Sequence, residues 1–295
     1  MILFPLDTLE RGQVERDYRT EFDAARAAVF DTALFDFDAL RRGDSMNSVL
    51  RRVPDTDSPS SLLYRGWMLN ASAYARLFNA LEERGWNLIN DAAMYRFAHH
   101  APENYEFWRR WMPQTAWIER EHFEQSDGVH FAPIFETLRG FGSSPVIVKD
   151  WVKSQKHRWN EACFIPDASD EDVVRRVVSR FLELQGEYFT GGLIFRRFEQ
   201  LRRDANGQSF EWRSFWLNGE LLSVSPNPHG TEAPPTQQFA EAARRCLSRF
   251  FTIDFAQREN GEWLIIEMGD GGVSGLPPSQ DFEQWYLDLA KQLIS

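Results

Sequence analysis

Residues 252–277 read TIDFAQRENGEWLIIEMGDGGVSGLP. Apolar runs at 250–257 and 263–268 flank Glu259-Asn260-Gly261, so the stretch reads as a β-hairpin. Each arm carries an acid among apolar neighbours: Asp254 in TIDFA and Glu267 in LIIEMGDG, with Asp270 close behind. Burying unpaired carboxylates is costly, so a cation is expected between the two strands. Hard oxygen donors suit Mg2+, which binds through one or two carboxylates plus substrate phosphates. The plain alternative is a pair of solvent-facing acids on an edge hairpin.

Working outward, residues 210–217 and 220–224 flank Asn218-Gly219, a second hairpin signal. Glu211 and Arg213 fall on one face of its first arm, pointing a carboxylate and a guanidinium into one space. A cross-strand ion pair is the simpler reading of such residues. Residues 145–151, PVIVKDW, read as a strand with Lys149 set among β-branched residues. From there its ammonium can reach a phosphate as a point charge, or snorkel to water from a strand end. The following loop, DWVKSQKHRW at 150–159, gathers Lys153, Lys156, His157 and Arg158 between two tryptophans. In an acidic chain such a loop suits a polyphosphate, with a solvated loop as the alternative. Residues 192–201, GLIFRRFEQL, read as a strand running into a turn. Helices are expected at 171–185, 236–248 and 281–293, the first with Val173, Val174, Val177, Phe181 and Leu182 near one face. This half is therefore α+β.

The first 140 residues have another texture. Strands are expected at 1–5, 33–37, 62–67 and 86–90, with helices at 13–29 and 72–84, the latter stopped by Gly85. That alternation favours a layered, mostly parallel sheet. Residues 102–122 read as helices and a loop broken by Pro113, 131–140 as a helix, and 142–145, GSSP, as a linker. Arg65, in YRGW after the third strand, is placed to clamp a substrate carboxylate.

The chain has 295 residues, enough for two domains or one large one. Its net charge of −11 argues against broad binding to nucleic acid or to an anionic membrane. No run approaches the roughly 18 apolar residues of a membrane span, and the N-terminus does not read as a signal peptide. Two cysteines, Cys163 and Cys246, make no disulfide framework, so a cytoplasmic location is expected. There is no P-loop motif. GDGGVSG at 269–275 runs into Leu-Pro-Pro rather than a helix, which speaks against a dinucleotide fingerprint. His99-His100 and His122…His130 lack metal-ligand spacing.

The order Lys149, strand 193–198, Glu211, Asp254, Glu267 resembles the C-terminal part of the ATP-grasp fold, over roughly 145–277. Within that superfamily the sequence is most similar to a divergent clade. The clade includes the eukaryotic initiation factor 2 assembly chaperone and uncharacterised bacterial and phage proteins. VIVKDWVKSQKH, LIFRRF, FEWRSFWLNGELL and IDFA…WLIIEMGDGGVSGLP carry the likeness, and YRGWML at 64–69 matches bacterial members. The resemblance implies a Rossmann-like pre-ATP-grasp domain at 1–142 and an ATP-grasp domain at 143–295. Its lid would span roughly 145–190 and its catalytic part 191–295.

The resemblance also implies roles. Lys149 and His157 would contact the ATP phosphates. Phe195, Arg196 and Arg197 would form the adenine hinge, partly through backbone groups, and Glu211 would hold the ribose. Asp254 and Glu267 would bind Mg2+. Gly269 stands where the family's Glu-x-Asn motif has Asn, so Asp270 is a substitute ligand if a bulge re-aims it. Thr252 stands where D-alanine-type ligases carry an arginine; Arg213 is the replacement, with Lys153 and its loop stabilising phosphate charge. Arg65 would orient the substrate. The implied activity is an ATP-dependent carboxylate–amine or peptide ligase acting through an acylphosphate, on a small-molecule, peptide or protein carboxylate. The alternatives are a nucleotide-binding assembly factor without turnover and an ATP-dependent phosphotransferase.

Overall fold

Apolar tetrapeptides such as Ile2-Leu3-Phe4-Pro5 build the first sheet of this computed structural model, which describes every residue except Arg11, Lys153 and Ser295. Strands β1 (Ile2–Pro5), β2 (Thr32–Phe35), β3 (Ser60–Tyr64) and β4 (Trp86–Leu88) pair in parallel in the order β2-β1-β3-β4. Between and after them run α1 (Arg19–Ala27), α2 (Phe37–Arg42), α3 (Met46–Val49), α4 (Ala71–Glu82) and α5 (Ala92–His99). Asp36 and Asn70 cap α2 and α4 by accepting from amides three residues on, which sets where those helices begin. The sheet is buried on both faces. Leu3, Phe35, Leu62 and Tyr64 pack with Leu77 and Tyr95, while Ile2 and Phe4 pack with Phe215, Phe250 and Trp285.

The chain continues through α6 (Ala101–Trp108), β5 (Thr115–Glu119), α7 (Arg120–Phe123), a small hairpin of β6 (Glu124–Gln125) and β7 (Gly128–Val129), and α8 (Phe131–Leu138). After it come β8 (Val146–Asp150), α9 (Trp159–Ala162), β9 (Phe164–Ile165), α10 (Glu171–Gln185) and β10 (Gly192–Arg197). These strands form an antiparallel sheet in the order β5-β10-β8-β9. β5 corrects the expectation of only helices and a loop at 102–122. Its TAWIE sequence is made a strand by pairing with β10, Ala116 opposite Phe195, a contact that local pattern does not encode. The apolar face of α10 covers this sheet through Val174, Val177, Val178 and Phe181.

The last elements are β11 (Glu211–Leu217), β12 (Glu220–Pro226), α11 (Gln237–Ala243), β13 (Phe250–Gln257), β14 (Trp263–Asp270) and α12 (Phe282–Ile294), the strands in the order β12-β11-β13-β14. Asn218 and Gly219 both take positive φ, 51° and 80°, as a two-residue hairpin turn requires. The described chain packs as two compact units. The first comprises Met1–Ala98, Asp204–Phe255 and Glu267 onward; the second comprises His99–Arg203 and Ala256–Ile266. The sequence boundary proposed at 142/143 falls inside the second unit, so compact units and proposed sequence domains divide the chain differently. Among the described residues no helix is long and apolar enough to cross a membrane.

Candidate active site

β11, β13 and β14 lie side by side, and Arg213, Asp254 and Glu267 fall on the portions of them that belong to the first unit. Arg213 grips Asp254 at two points: Nε donates to Oδ1 at 2.8 Å and Nη2 to Oδ2 at 2.7 Å. Burial pulls the Arg213 guanidinium down, but the Asp254 bonds and charge, together with the charge of Glu267, more than offset it and raise it. Both acids therefore act on one guanidinium. Over the last four residues of β14 burial alternates, with Glu267 and Gly269 on the more open side and Met268 and Asp270 buried. Arg213 thus supplies part of the positive charge that the two acids were expected to require. The two carboxylates are oxygen donors of the kind a hard divalent cation takes. A carboxylate has about four lone-pair sites, so the two bonds from Arg213 do not by themselves fill Asp254. Glu211, half-buried at the start of β11, accepts from Ser209 Oγ, and its backbone pairs with His229 and Asn227.

Asp270 and Arg65 are placed otherwise than expected. Asp270 is 2% exposed; Oδ2 accepts from Asn90 Nδ2 at 2.6 Å and Oδ1 from the Gly272 amide at 2.8 Å. Burial pushes its carboxyl up to about 6, against those two hydrogen bonds and the charge of Arg65. Among the described residues, the only acid, histidine or cysteine trio within 4.8 Å is the exposed Glu119, Glu121 and His122. Asp254, Glu267 and Asp270 therefore do not converge as three ligands, because strand alternation turns Asp270 inward. Arg65 is fully buried against Glu21 and has no exposed surface for a substrate carboxylate. At Gly269 a Cβ would lie 2.9 Å from Ser274 Oγ and 3.0 Å from Thr252 Oγ1, hydroxyls that bond each other at 2.7 Å. Those two side chains fill the space an asparagine would need.

In the second unit, Lys149 sits on β8 opposite Ile194 and is only 7% exposed. Burial pushes the nearby Cys163 thiol up to about 11, while Lys156 and Lys149 pull the other way, which locates both ammoniums near it. His157 is exposed in a short turn at Lys156–Arg158, and Lys153 lies outside the described residues. The hinge expectation changes. β10 lies between β5 and β8, so the backbone of Phe195 and Arg196 is taken up by ladders on both sides. The Phe195 side chain is in the core. Arg196 is buried, donating to Thr115 Oγ1 and to the Ile266 carbonyl. Arg197 is exposed and its amide donates to Gln114 O at 2.8 Å.

Three residues that sequence reading missed organise the first unit: Glu21, Asn90 and Tyr286. Asn90 Nδ2 reaches Phe250 O and Asp270 Oδ2, and its Oδ1 accepts from the Arg249 and Phe250 amides. The Glu21 carboxylate accepts from both the Arg65 guanidinium and the Tyr286 hydroxyl. Each sits in a segment that reads locally as an ordinary helix or strand end, without a signal of burial.

Structures similar to this one are ATP-grasp proteins. D-cycloserine synthetase DcsG aligns with a TM-score of 0.60 at 13% identity, covering 99% of this chain and 100% of that one. ATP-grasp ligase PsnB, solved with minimal precursor, Mg and ADP, aligns at 0.56 and 12%, covering 100% and 98%. D-alanine–D-alanine ligase from Bacillus anthracis, solved with ATP, aligns at 0.56 and 12%, covering 99% and 94%. At these identities the likeness is one of fold. No curated protein matches the sequence. A family model for an ATP-grasp domain, the third family of its clade, matches residues 139–293. That match takes in β8, α10, β10, both hairpins and most of α12, and the chain belongs to this ATP-grasp family.

Proposed function

We propose that the protein is an ATP-dependent ligase that joins a carboxylate to an amine and releases ADP and phosphate. The observation that carries this is the grouping of Arg213, Asp254 and Glu267 on neighbouring strands of a chain that belongs to an ATP-grasp family. Asp254 and Glu267 would hold Mg2+, with no side-chain donor from Gly269. When bound, the ion neutralises charge on the polyphosphate as it transfers. Lys149 would contribute a fixed positive charge to a phosphate, and Glu211 would accept from ribose hydroxyls. Arg213, held charged, would stabilise the negative charge that develops on transfer and on carbonyl attack.

The chemistry balances in two steps. A substrate carboxylate oxygen attacks the γ-phosphorus, the bond to ADP breaks, and an acylphosphate forms. An amine nitrogen then attacks the acyl carbon, the bond to phosphate breaks, and the nitrogen loses a proton to leave an amide. Both a small-molecule and a peptide carboxylate accord with this reading, since the similar structures include a D-alanine–D-alanine ligase and a ligase bound to a precursor. A cytoplasmic location, with ready ATP, goes with it.

The test is thermal unfolding with saturating Mg·ATP. Ligand at a hundred times its Kd adds about 2.7 kcal/mol to a native state that alone binds it. The shift is expected in the wild type and lost in Asp254→Asn/Glu267→Gln. Amine-dependent ADP release then separates a ligase from a phosphotransferase. No shift in a folded wild type sinks the reading.

A further inference from the structure

Arg65 stands at the end of β3 with no exposed surface. Its Nε and Nη2 donate to the Glu21 carboxylate on α1 at 2.6 to 2.9 Å. Its Nη1 donates to the carbonyls of Gly271 at 2.6 Å and Ser274 at 2.9 Å. The Tyr286 hydroxyl on α12 donates to Glu21 Oε2 at 2.7 Å, and the Trp285 ring lies 5.8 Å from the guanidinium. A buried ion pair of this kind contributes little net stability over a well-packed apolar pair, and its best-attested use is to fix geometry.

The geometry being fixed is that of the loop after β14. The Gly271 amide donates to Phe250 O, the Gly272 amide to Asp270 Oδ1, and the Val273 and Ser274 amides to Asp270 O. With those amides spent on β13 and on Asp270, the loop is no phosphate cradle, and its carbonyls turn toward the end of β3, where Gly272 O accepts from the Gly66 amide. Arg65 takes two of them. Arg213 takes the next, donating from Nη1 to Gly275 O at 3.0 Å while it holds Asp254. Ser274 Oγ meets Thr252 Oγ1, two residues before Asp254 on β13. A continuous path of bonds thus runs from Glu21 through Arg65, the loop and Arg213 to Asp254.

We propose that Arg65 is a positioning residue for the ligase face: through the loop at 271–275 it fixes the orientation of Arg213 and so of the Asp254 carboxylate. This rests on the ligase reading for its consequence, but its geometry can be tested without nucleotide. Arg65→Lys keeps the charge and loses the planar fork that serves Glu21 and two carbonyls at once. Tyr286→Phe is a milder change that removes one brace from Glu21.

The experiment measures two quantities in the full chain. The first is the Arg213 Nε–H resonance in the nucleotide-free protein, assigned with Arg213→Lys. In wild type it should be slow to exchange, and in Arg65→Lys its exchange should quicken at least fivefold, with a smaller change in the same direction in Tyr286→Phe. The second is Mn2+ affinity in the presence of ADP, which should fall about tenfold in Arg65→Lys while metal-free ADP affinity stays within twofold. An unchanged Arg213 signal in folded Arg65→Lys overturns the proposal. If Arg65→Lys does not fold, an unchanged signal in Tyr286→Phe overturns it. Wild type that takes up no Mn·ADP overturns the ligase reading instead, and the resonance still decides whether Arg65 sets Arg213.

Discussion

Arg213 and Asp254 meet across neighbouring strands in a two-point ion pair, at 2.8 and 2.7 Å, with 20% and 11% of their side chains exposed. Removing one partner of such a pair leaves a charge with little water to receive it. Arg213→Ala should therefore destabilise the protein by about 2–3 kcal/mol, toward the value for hydrogen bonds to charged groups. Millimolar Mg2+ should restore part of that loss, because a divalent ion can take over as partner of Asp254 and Glu267. Denaturant midpoints with and without Mg2+ measure this; an equal effect in the two proteins would show that the ion does not replace Arg213, and no effect in either would count against a metal role for the two acids.

Asp270 gives a pH dependence with a definite sign. Its carboxyl is raised to about 6 in the folded chain from an ordinary 3.8. The folded state thus holds this proton more tightly than the unfolded state, and the group costs stability as pH rises from about 4 to above 6, by about 3 kcal/mol in all. Urea unfolding of wild type and Asp270→Asn across that range should show the difference between them changing in this direction. A parallel pH course in the two proteins would remove Asp270 as its source.

Asn90 uses its whole hydrogen-bonding capacity inside the first unit, on Phe250 O, Asp270 Oδ2 and the Arg249 and Phe250 amides. Asn90→Ala leaves several buried groups unsatisfied, at about 1–3 kcal/mol each when no water enters. A total loss of about 3–5 kcal/mol is expected. The readout is the denaturant midpoint at unchanged m-value; a loss below about 1 kcal/mol would show that water replaces the amide.

Two glycines of one loop should differ. A Cβ at Gly272 would lie 2.4 Å from Tyr64 O and 2.9 Å from Asp270 Oδ1, whereas one at Gly275 meets nothing within 4 Å. Gly272→Ala should cost about 1–3 kcal/mol through forced backbone movement. Gly275→Ala should stay within about 0.5 kcal/mol in thermal unfolding. Equal effects would mean the loop is not pressed against β3.

The elements that local pattern specifies well are the ones whose burial alternates or whose turns demand particular residues. Asn218-Gly219 fixes one hairpin because both positions need positive φ. The helix at Glu171–Gln185 falls where its apolar stripe and its Asp170 cap place it. β5 escaped because its strand character comes from β10, far away in sequence. The candidate site divides in the same way. Asp254 and Glu267 were visible as acids in apolar strands, but the partner of Arg213 was not, since period-2 reasoning assigns a face and not a neighbour.

Sequence alone determined the two hairpins and the residue types that chemistry would use, because alternation and turn demands are local, while the ATP-grasp reading came from the resemblance of its motifs and their order to that family. Only the tertiary structure decided which charges are spent on one another. Arg65 reads as an exposed strand-end arginine until Glu21, more than forty residues earlier, takes its fork. Asp270 reads as a ligand until the pleat of β14 turns it toward Asn90. A buried charge must find its compensation wherever the fold brings it, and that partner is set by packing across the chain rather than by any neighbour in sequence.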